Sequence, residues 1–182
     1  MAIQQLRDDH PEIAFFGVEP AVKPAAALSQ TKRVGVLATP ATLGSEKFAQ
    51  LIQSLGEYTE FVLQACEGLA DAIEQQCQDG DDAPVRALCE KYVQAMGGFG
   101  NQTGEIDTLV LGCTHYPFAL PLLREFVGEQ VTILETGLPV ARQVKKVLGE
   151  SGLLAGSSSG EIGKVTLLAT GDAQSLHRAA QM

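Results

Sequence analysis

The sequence lacks any apolar run close to the ~20 residues that cross a bilayer, so no membrane partner is expected. It also lacks a basic segment followed by an apolar stretch, the pattern of a secretory signal, and this predicts a cytoplasmic location. Positive charge is scarce, because 13 Lys and Arg stand against 22 Asp and Glu and give a net charge of −9. A phosphate backbone requires a basic surface, so nucleic acid is not expected as a partner. A small anionic ligand is still compatible with this charge, since local donors can hold it.

Motifs for the common cofactors are missing as well. The sequence has no G-x-G-x-x-G, no phosphate-binding loop and no lysine in a context that suggests a Schiff base. Neither a nucleotide nor pyridoxal phosphate is therefore expected. None of the four cysteines belongs to a C-x-x-C pair, so no metal site is expected. Cys66, Cys77 and Cys89 lie in or beside amphipathic stretches and are interpreted as reduced core residues.

The fourth cysteine has different surroundings. Cys113 follows the apolar residues 109–111, and Thr114 and His115 come directly after it. A thiol, a hydroxyl and an imidazole thus leave the end of a predicted strand, which is where ligands bind in an open parallel sheet. This arrangement predicts a reactive thiolate with an acid–base neighbour. The alternative is a buried cysteine that shares a turn with a surface histidine.

Short apolar runs alternate with amphipathic stretches along the whole chain. This alternation predicts an α/β fold with a parallel sheet that helices cover on both faces. The predicted strands span about 13–18, 33–38, 59–63, 107–111, 131–135 and 164–169. The predicted helices span about 1–6, 21–29, 41–55, 68–77, 84–96, 118–127 and 138–149, with a short one at the end of the chain. Residues 155–163 are rich in Gly and Ser and predict a surface loop.

Several motifs occur in a fixed order between residues 3 and 175. They lie at 17–25 (GVEPAVKPA), 34–45 (VGVLATPATLGS), 66–74 (CEGLADAIE), 111–117 (LGCTHYP), 134–137 (LETG) and 170–172 (TGD). Together they resemble the motifs of the glutamate racemases, and residues 111–117 resemble the segment around the second catalytic cysteine of that family. His115 favours glutamate racemases over aspartate racemases, which tend to have Glu at this place.

Three motifs of that family do not occur in the sequence. These are an Asp-Ser-Gly turn, a Pro-Tyr-Gly segment and the Ala-Cys-Asn-Thr segment with the first catalytic cysteine. The resemblance therefore predicts the last two-thirds of a racemase, with one intact α/β domain at 20–135 that carries the second catalytic cysteine. Residues 1–19 and 136–182 would be remnants of a second, similar α/β domain. Strands at 13–18 and 164–169 would then lack neighbours.

The resemblance implies a glutamate racemase that supplies D-glutamate for peptidoglycan without a cofactor. Racemisation needs a base on one side of Cα and an acid on the other, and a thiolate and a thiol would serve. Cys113 would take the proton from L-glutamate, and the chain by itself is expected to be inactive. His115 would assist the proton transfer. Glu74 would support His115, although from the sequence it could equally be a solvated helix charge.

The same resemblance implies that Thr114, His115, Thr39 and Thr42 bind the substrate. Thr39 and Thr42 follow the strand predicted at 33–38, where their hydroxyls either hold substrate carboxylates or cap a helix. A second hypothesis is a catalytically silent module that keeps the glutamate pocket or an interaction surface. A homodimer is compatible with the resemblance, and the oligomeric state stays open.

Overall fold

A parallel four-stranded sheet forms the centre of the computed structural model, which describes residues 2–154 and 164–180. The strands are β1 (Arg33–Ala38), β2 (Glu60–Ala65), β3 (Thr108–Leu111) and β4 (Thr132–Leu134). Their order in the sheet is β2-β1-β3-β4, and every neighbouring pair is parallel. This sheet confirms the predicted α/β fold.

Helices connect the strands and precede or follow the sheet. They are α1 (Ala2–Asp9), α2 (Val22–Leu28), α3 (Pro40–Leu43), α4 (Glu46–Leu55), α5 (Leu69–Asp79), α6 (Ala83–Met96), α7 (Leu120–Val127), α8 (Gly137–Glu150) and α9 (Ala173–Ala179). A 3-10 helix (Tyr116–Ala119) runs directly into α7. Among the described residues, no helix combines the length and apolar character that crossing a bilayer requires.

Apolar side chains bury both faces of the sheet. On one face Val34 and Val36 of β1 belong to a cluster with Phe48 of α4. On the other face Leu37 belongs to a larger cluster with Leu123 of α7 and residues of α5 and α6. Because successive side chains of a strand point to opposite faces, a strand covered on both sides reads as a continuous apolar run. The apolar run at 33–38 therefore identifies a central strand.

Two predicted strands are wrong. Residues 14–20 and 164–169 have no regular secondary structure. Val18 is 53% exposed and Val165 is 82% exposed, so neither run is covered by a second layer. A strand exists only through hydrogen bonds to a neighbouring strand, and neither segment pairs with one among the described residues. The loop predicted at 155–163 lies outside the described residues.

The helix predicted at 41–55 is divided into α3 and α4. Ser45 interrupts it, because its hydroxyl accepts a hydrogen bond from the backbone N–H of Phe48 and caps α4. Thr39 caps α3 in the same way, through the N–H of Thr42. Serine and threonine are favoured at such positions because the first N–H groups of a helix have no partner within it.

The strand order places a crevice between β1 and β3. The chain moves from β1 outward to β2 and then returns to the other side of β1 with β3. The connections after β1 and β3 therefore leave in opposite directions, and a gap opens beyond the carboxyl ends of these two strands. Such a switch point is the usual ligand site of an open parallel sheet.

Candidate active site

A cavity of about 270 Å³ lies at this switch point. Three strands deliver polar residues to it, because Thr39 follows β1, Cys113 comes two residues after β3, and Thr136 comes two residues after β4. The remaining lining residues are Thr42 and Thr114, together with Gly112 and the segment 18–20. The cavity thus combines one thiol with several hydroxyls.

The thiol of Cys113 is held by its neighbours in the chain. The N–H of Gly112 donates to the carbonyl of Leu37 in β1 at 2.7 Å. A Cβ atom at Gly112 would lie 3.0 Å from that carbonyl oxygen, closer than ordinary van der Waals contact, so glycine suits this close approach. On the other side Tyr116 is fully buried, and its hydroxyl donates to the carbonyl of Cys66 at 3.3 Å. Cys113 is therefore fixed between two anchored residues.

Cys113, His115 and Glu74 form a hydrogen-bonded chain. The Sγ atom of Cys113 lies 3.7 Å from Nδ1 of His115. The Nε2 atom of His115 lies 2.8 Å from Oε1 of Glu74. An ionised carboxylate only accepts hydrogen bonds, so Nε2 carries the proton and Nδ1 of the neutral ring faces the thiol with its lone pair. This arrangement can take a proton from Cys113 and can stabilise the imidazolium that results.

The two alternatives for Thr39 and Thr42 are both compatible with the geometry. As a helix cap, Thr39 Oγ1 accepts a hydrogen bond from the N–H of Thr42 at 3.2 Å. The same oxygen lies 3.0 Å from Thr42 Oγ1. Both residues nevertheless line the cavity. A hydroxyl that accepts can still donate its own hydrogen, so the pair can offer a donor to an anion. Thr114 is exposed and lines the same cavity.

The sequence interpretation did not select Thr136 as a candidate for substrate binding. Thr136 is only 6% exposed and lines the cavity beside Cys113. Thr136 directly follows the strand predicted at 131–135. Ligands of an open parallel sheet bind beyond the carboxyl ends of its strands, so the argument that selected Thr39 and Cys113 could also have selected Thr136.

The other cysteines have different environments. Cys66 and Cys89 are buried in the core, as predicted. Burial raises the pKa of the Cys66 thiol to about 12 and that of the Cys89 thiol to about 11. Cys77, also predicted to lie in the core, is instead half-buried, and its thiol donates to the carbonyl of Ile73 at 3.1 Å.

We expect iodoacetamide to alkylate Cys113 well before Cys66 and Cys89 in the folded protein. Thiolate is the reactive form, and a pKa raised from 9.0 to about 12 reduces the thiolate of Cys66 about a thousandfold, in addition to the steric protection. His115→Ala should slow the reaction of Cys113, because Nδ1 is the near acceptor for the thiol proton. Peptide mapping by mass spectrometry gives the order of modification. Alkylation of Cys113 only after denaturation would contradict a reactive thiol.

Comparisons with known proteins agree with the family resemblance of the motifs. A sequence profile described as Asp/Glu/Hydantoin racemase matches residues 1–144. A glutamate racemase of Pseudomonas putida strain KT2440 is 44% identical over 159 residues, which are 87% of this chain and 57% of the relative. A glutamate racemase of Cupriavidus pinatubonensis is 42% identical over 179 residues, which are 98% of this chain and 62% of the relative. The chain thus spans about three-fifths of the length of these curated relatives.

A solved structure shares the fold. The crystal structure of Escherichia coli glutamate racemase in complex with L-glutamate and the activator UDP-MurNAc-Ala has a TM-score of 0.72 and 23% sequence identity. The similarity covers 98% of this chain and 65% of that chain. At this level of identity the likeness supports the architecture.

Proposed function

The chain belongs to the Asp/Glu/Hydantoin racemase family, and we propose that it acts as part of a cytoplasmic glutamate racemase that supplies D-glutamate for peptidoglycan. The observation that supports this most strongly is a hydrogen-bonded chain that starts at Cys113 in the switch-point cavity and continues to His115 and Glu74, which line a neighbouring cavity. The identity of 42–44% to curated glutamate racemases supports glutamate as the substrate.

In the proposed reaction Cys113 is the base on one face of the substrate. His115 Nδ1 takes the thiol proton, and the resulting thiolate and imidazolium are stabilised by each other and by Glu74. The thiolate then removes the Cα proton of L-glutamate, and the electron pair of the broken C–H bond spreads into the α-carboxylate. Hydroxyl donors at the site, such as the pair formed by Thr39 and Thr42, stabilise this developing charge. A proton delivered to the opposite face completes the inversion.

The opposite face needs a second acid. Among the described residues, Cys113 is the one cysteine that lines this cavity. Cys66 and Cys89 lie in the core, and Cys77 lines a neighbouring cavity with Ile73 and Gln78. We infer that a thiol outside these residues supplies the second proton. We propose that residues 20–135 form one α/β domain and that residues 1–19 and 136–182 belong to a second. The second thiol would then belong to that second domain.

A chimera tests the proposed function. The N-terminal part of the Cupriavidus pinatubonensis glutamate racemase that precedes its match to this chain is fused ahead of Met1. We expect this chimera to convert L-glutamate into D-glutamate, as measured by chiral chromatography, since it supplies both thiols. The matched control is the same chimera with Cys113→Ser. A folded chimera that forms no D-glutamate, or a Cys113→Ser chimera of equal activity, would refute the proposal.

A further inference from the structure

The hydroxyl of Thr136 is unusual because nothing in the described part of the chain binds it. Thr136 is 94% buried, and its side chain does not cap α8 or bond to any other described residue. Yet no fully buried side-chain oxygen or nitrogen in that part of the chain lacks a hydrogen-bond partner. Thr136 Oγ1 therefore keeps contact with the open space of the cavity that the residue lines. A buried hydroxyl without a protein partner is costly unless water or a ligand binds it.

Thr136 and Thr39 lie on opposite sides of Cys113. β3 lies between β1 and β4 in the sheet. The register pairs Leu37 with Leu111 and Leu134 with Val110, so the residues that follow these strands remain side by side at the cavity. Neighbouring strands are about 4.8 Å apart, which places the ends of β1 and β4 about 10 Å apart with the thiol between them.

This spacing fits a dicarboxylic amino acid of five carbons. The two carboxyl carbons of glutamate are joined by four C–C bonds of ~1.5 Å and lie ~5 Å apart when extended. A hydrogen bond of about 2.8 Å from each carboxylate extends the reach to about 10–11 Å between donor oxygens. Aspartate is shorter by one C–C bond, and a hydrogen bond stretched by more than ~1 Å is lost.

We propose that Thr136 is a specificity-determining residue whose hydroxyl donates to one carboxylate of the substrate while the pair formed by Thr39 and Thr42 holds the other. This proposal rests on the proposed function and adds to it the selection of chain length. The substrate then spans the two strand ends with its Cα beside Cys113. The Thr136 side chain does not cap α8, so its hydroxyl is available for this contact.

The test compares the binding of L-glutamate and L-aspartate to the 182-residue protein and its variants. Dissociation constants come from NMR titration and from protection of Cys113 against iodoacetamide. Thr136→Val removes the hydroxyl at nearly constant volume. It should raise the dissociation constant of L-glutamate about tenfold or more, since a hydrogen bond to a charged group is lost. Thr136→Ser should retain the wild-type affinity. L-Aspartate should bind more weakly and respond little to either substitution.

Thr132→Val is the matched control, because Thr132 lies in β4, the strand that Thr136 follows, but is exposed. Thr136→Ala removes the same hydroxyl without a branched side chain and replaces Thr136→Val if the latter fails to fold by circular dichroism. Unchanged L-glutamate binding in the folded variant overturns the role of Thr136 and leaves the proposed function intact. If the substitution weakens the binding of L-glutamate and of L-aspartate equally, Thr136 does not select the substrate by its chain length. Absence of L-glutamate binding to the wild-type protein overturns the role of Thr136 in this chain, whereas the chimera alone decides the proposed function.

Discussion

In D₂O, the 182-residue protein is expected to exchange the Cα proton of L-glutamate for deuterium without forming measurable D-glutamate. One thiolate can remove the proton and, after its own proton exchanges with solvent, return a deuteron to the same face. Inversion requires an acid on the other face, and Cys113 is the one cysteine that the described residues place at the cavity. Each positioned acid or base typically contributes a factor of ~10²–10⁴ to the rate. D-Glutamate formation should therefore be lower by about this factor than in the two-thiol chimera.

Proton NMR measures the exchange from the loss of the Cα signal, and chiral chromatography measures D-glutamate in the same sample. Cys113→Ser should reduce the exchange to the rate without protein. His115→Ala should slow it by ~10²-fold or more, because it removes the group that takes the thiol proton. Glu74→Gln keeps the size of the side chain but removes the charge that stabilises the imidazolium, and its effect should be smaller. D-Glutamate formed by a contaminant-free sample would contradict the one-thiol site. Glutamate binding without exchange would instead favour a catalytically silent module.

Asp107→Ala is expected to lower the free energy of unfolding by about 3 kcal/mol, because several donors would lose a charged acceptor at once. Asp107 directly precedes β3 and is 6% exposed. Its carboxylate accepts the hydroxyl of Ser29 at 2.6 Å and the backbone N–H groups of Gln30 and Thr31 at 2.6 and 2.9 Å. These bonds join the turn before β1 to the start of β3, the two strands that carry the candidate site. Urea unfolding followed by circular dichroism measures the change.

The contribution of Asp107 should also depend on pH. Burial raises the pKa of this carboxyl, but the donors from Ser29, Thr31, Gln30 and Thr108 outweigh burial, and the pKa lies below its ordinary value of 3.8. A depressed pKa in the folded state adds stability above the unfolded pKa, and this stability is lost as the pH falls through the folded value. The difference between wild type and Asp107→Ala should thus be complete at pH 7 and decrease below about pH 4. Asp9→Asn, an exposed control, should unfold like the wild type. Equal stability of Asp107→Ala and wild type at pH 7 would refute this role.

Local patterns in the sequence were sufficient for the central part of the fold. The apolar run at 33–38 and the amphipathic stretch at 84–96 correspond closely to β1 and α6. A central strand and a packed helix are each visible in their own residues, because a strand covered on both faces is apolar at successive positions and a helix is apolar at the helical period. The placement of Cys113 at a strand end followed from the same information, since the apolar run simply stops before Gly112.

Other features depended on contacts between distant residues. The runs at 13–18 and 164–169 have the composition of strands, but a strand forms only where a neighbour offers its hydrogen bonds, and composition does not reveal the neighbour. From the sequence, Glu74 was equally compatible with a solvated helix charge. Only the packing of α5 against the turn after β3 brings its carboxylate to 2.8 Å from His115, which is 41 residues away. The sequence by itself determined the central strands β1 and β3 and the position of Cys113 at a strand end. The tertiary structure decided which of them meet, because the order of strands in the sheet, a non-local property, places Thr39, Cys113 and Thr136 around one cavity.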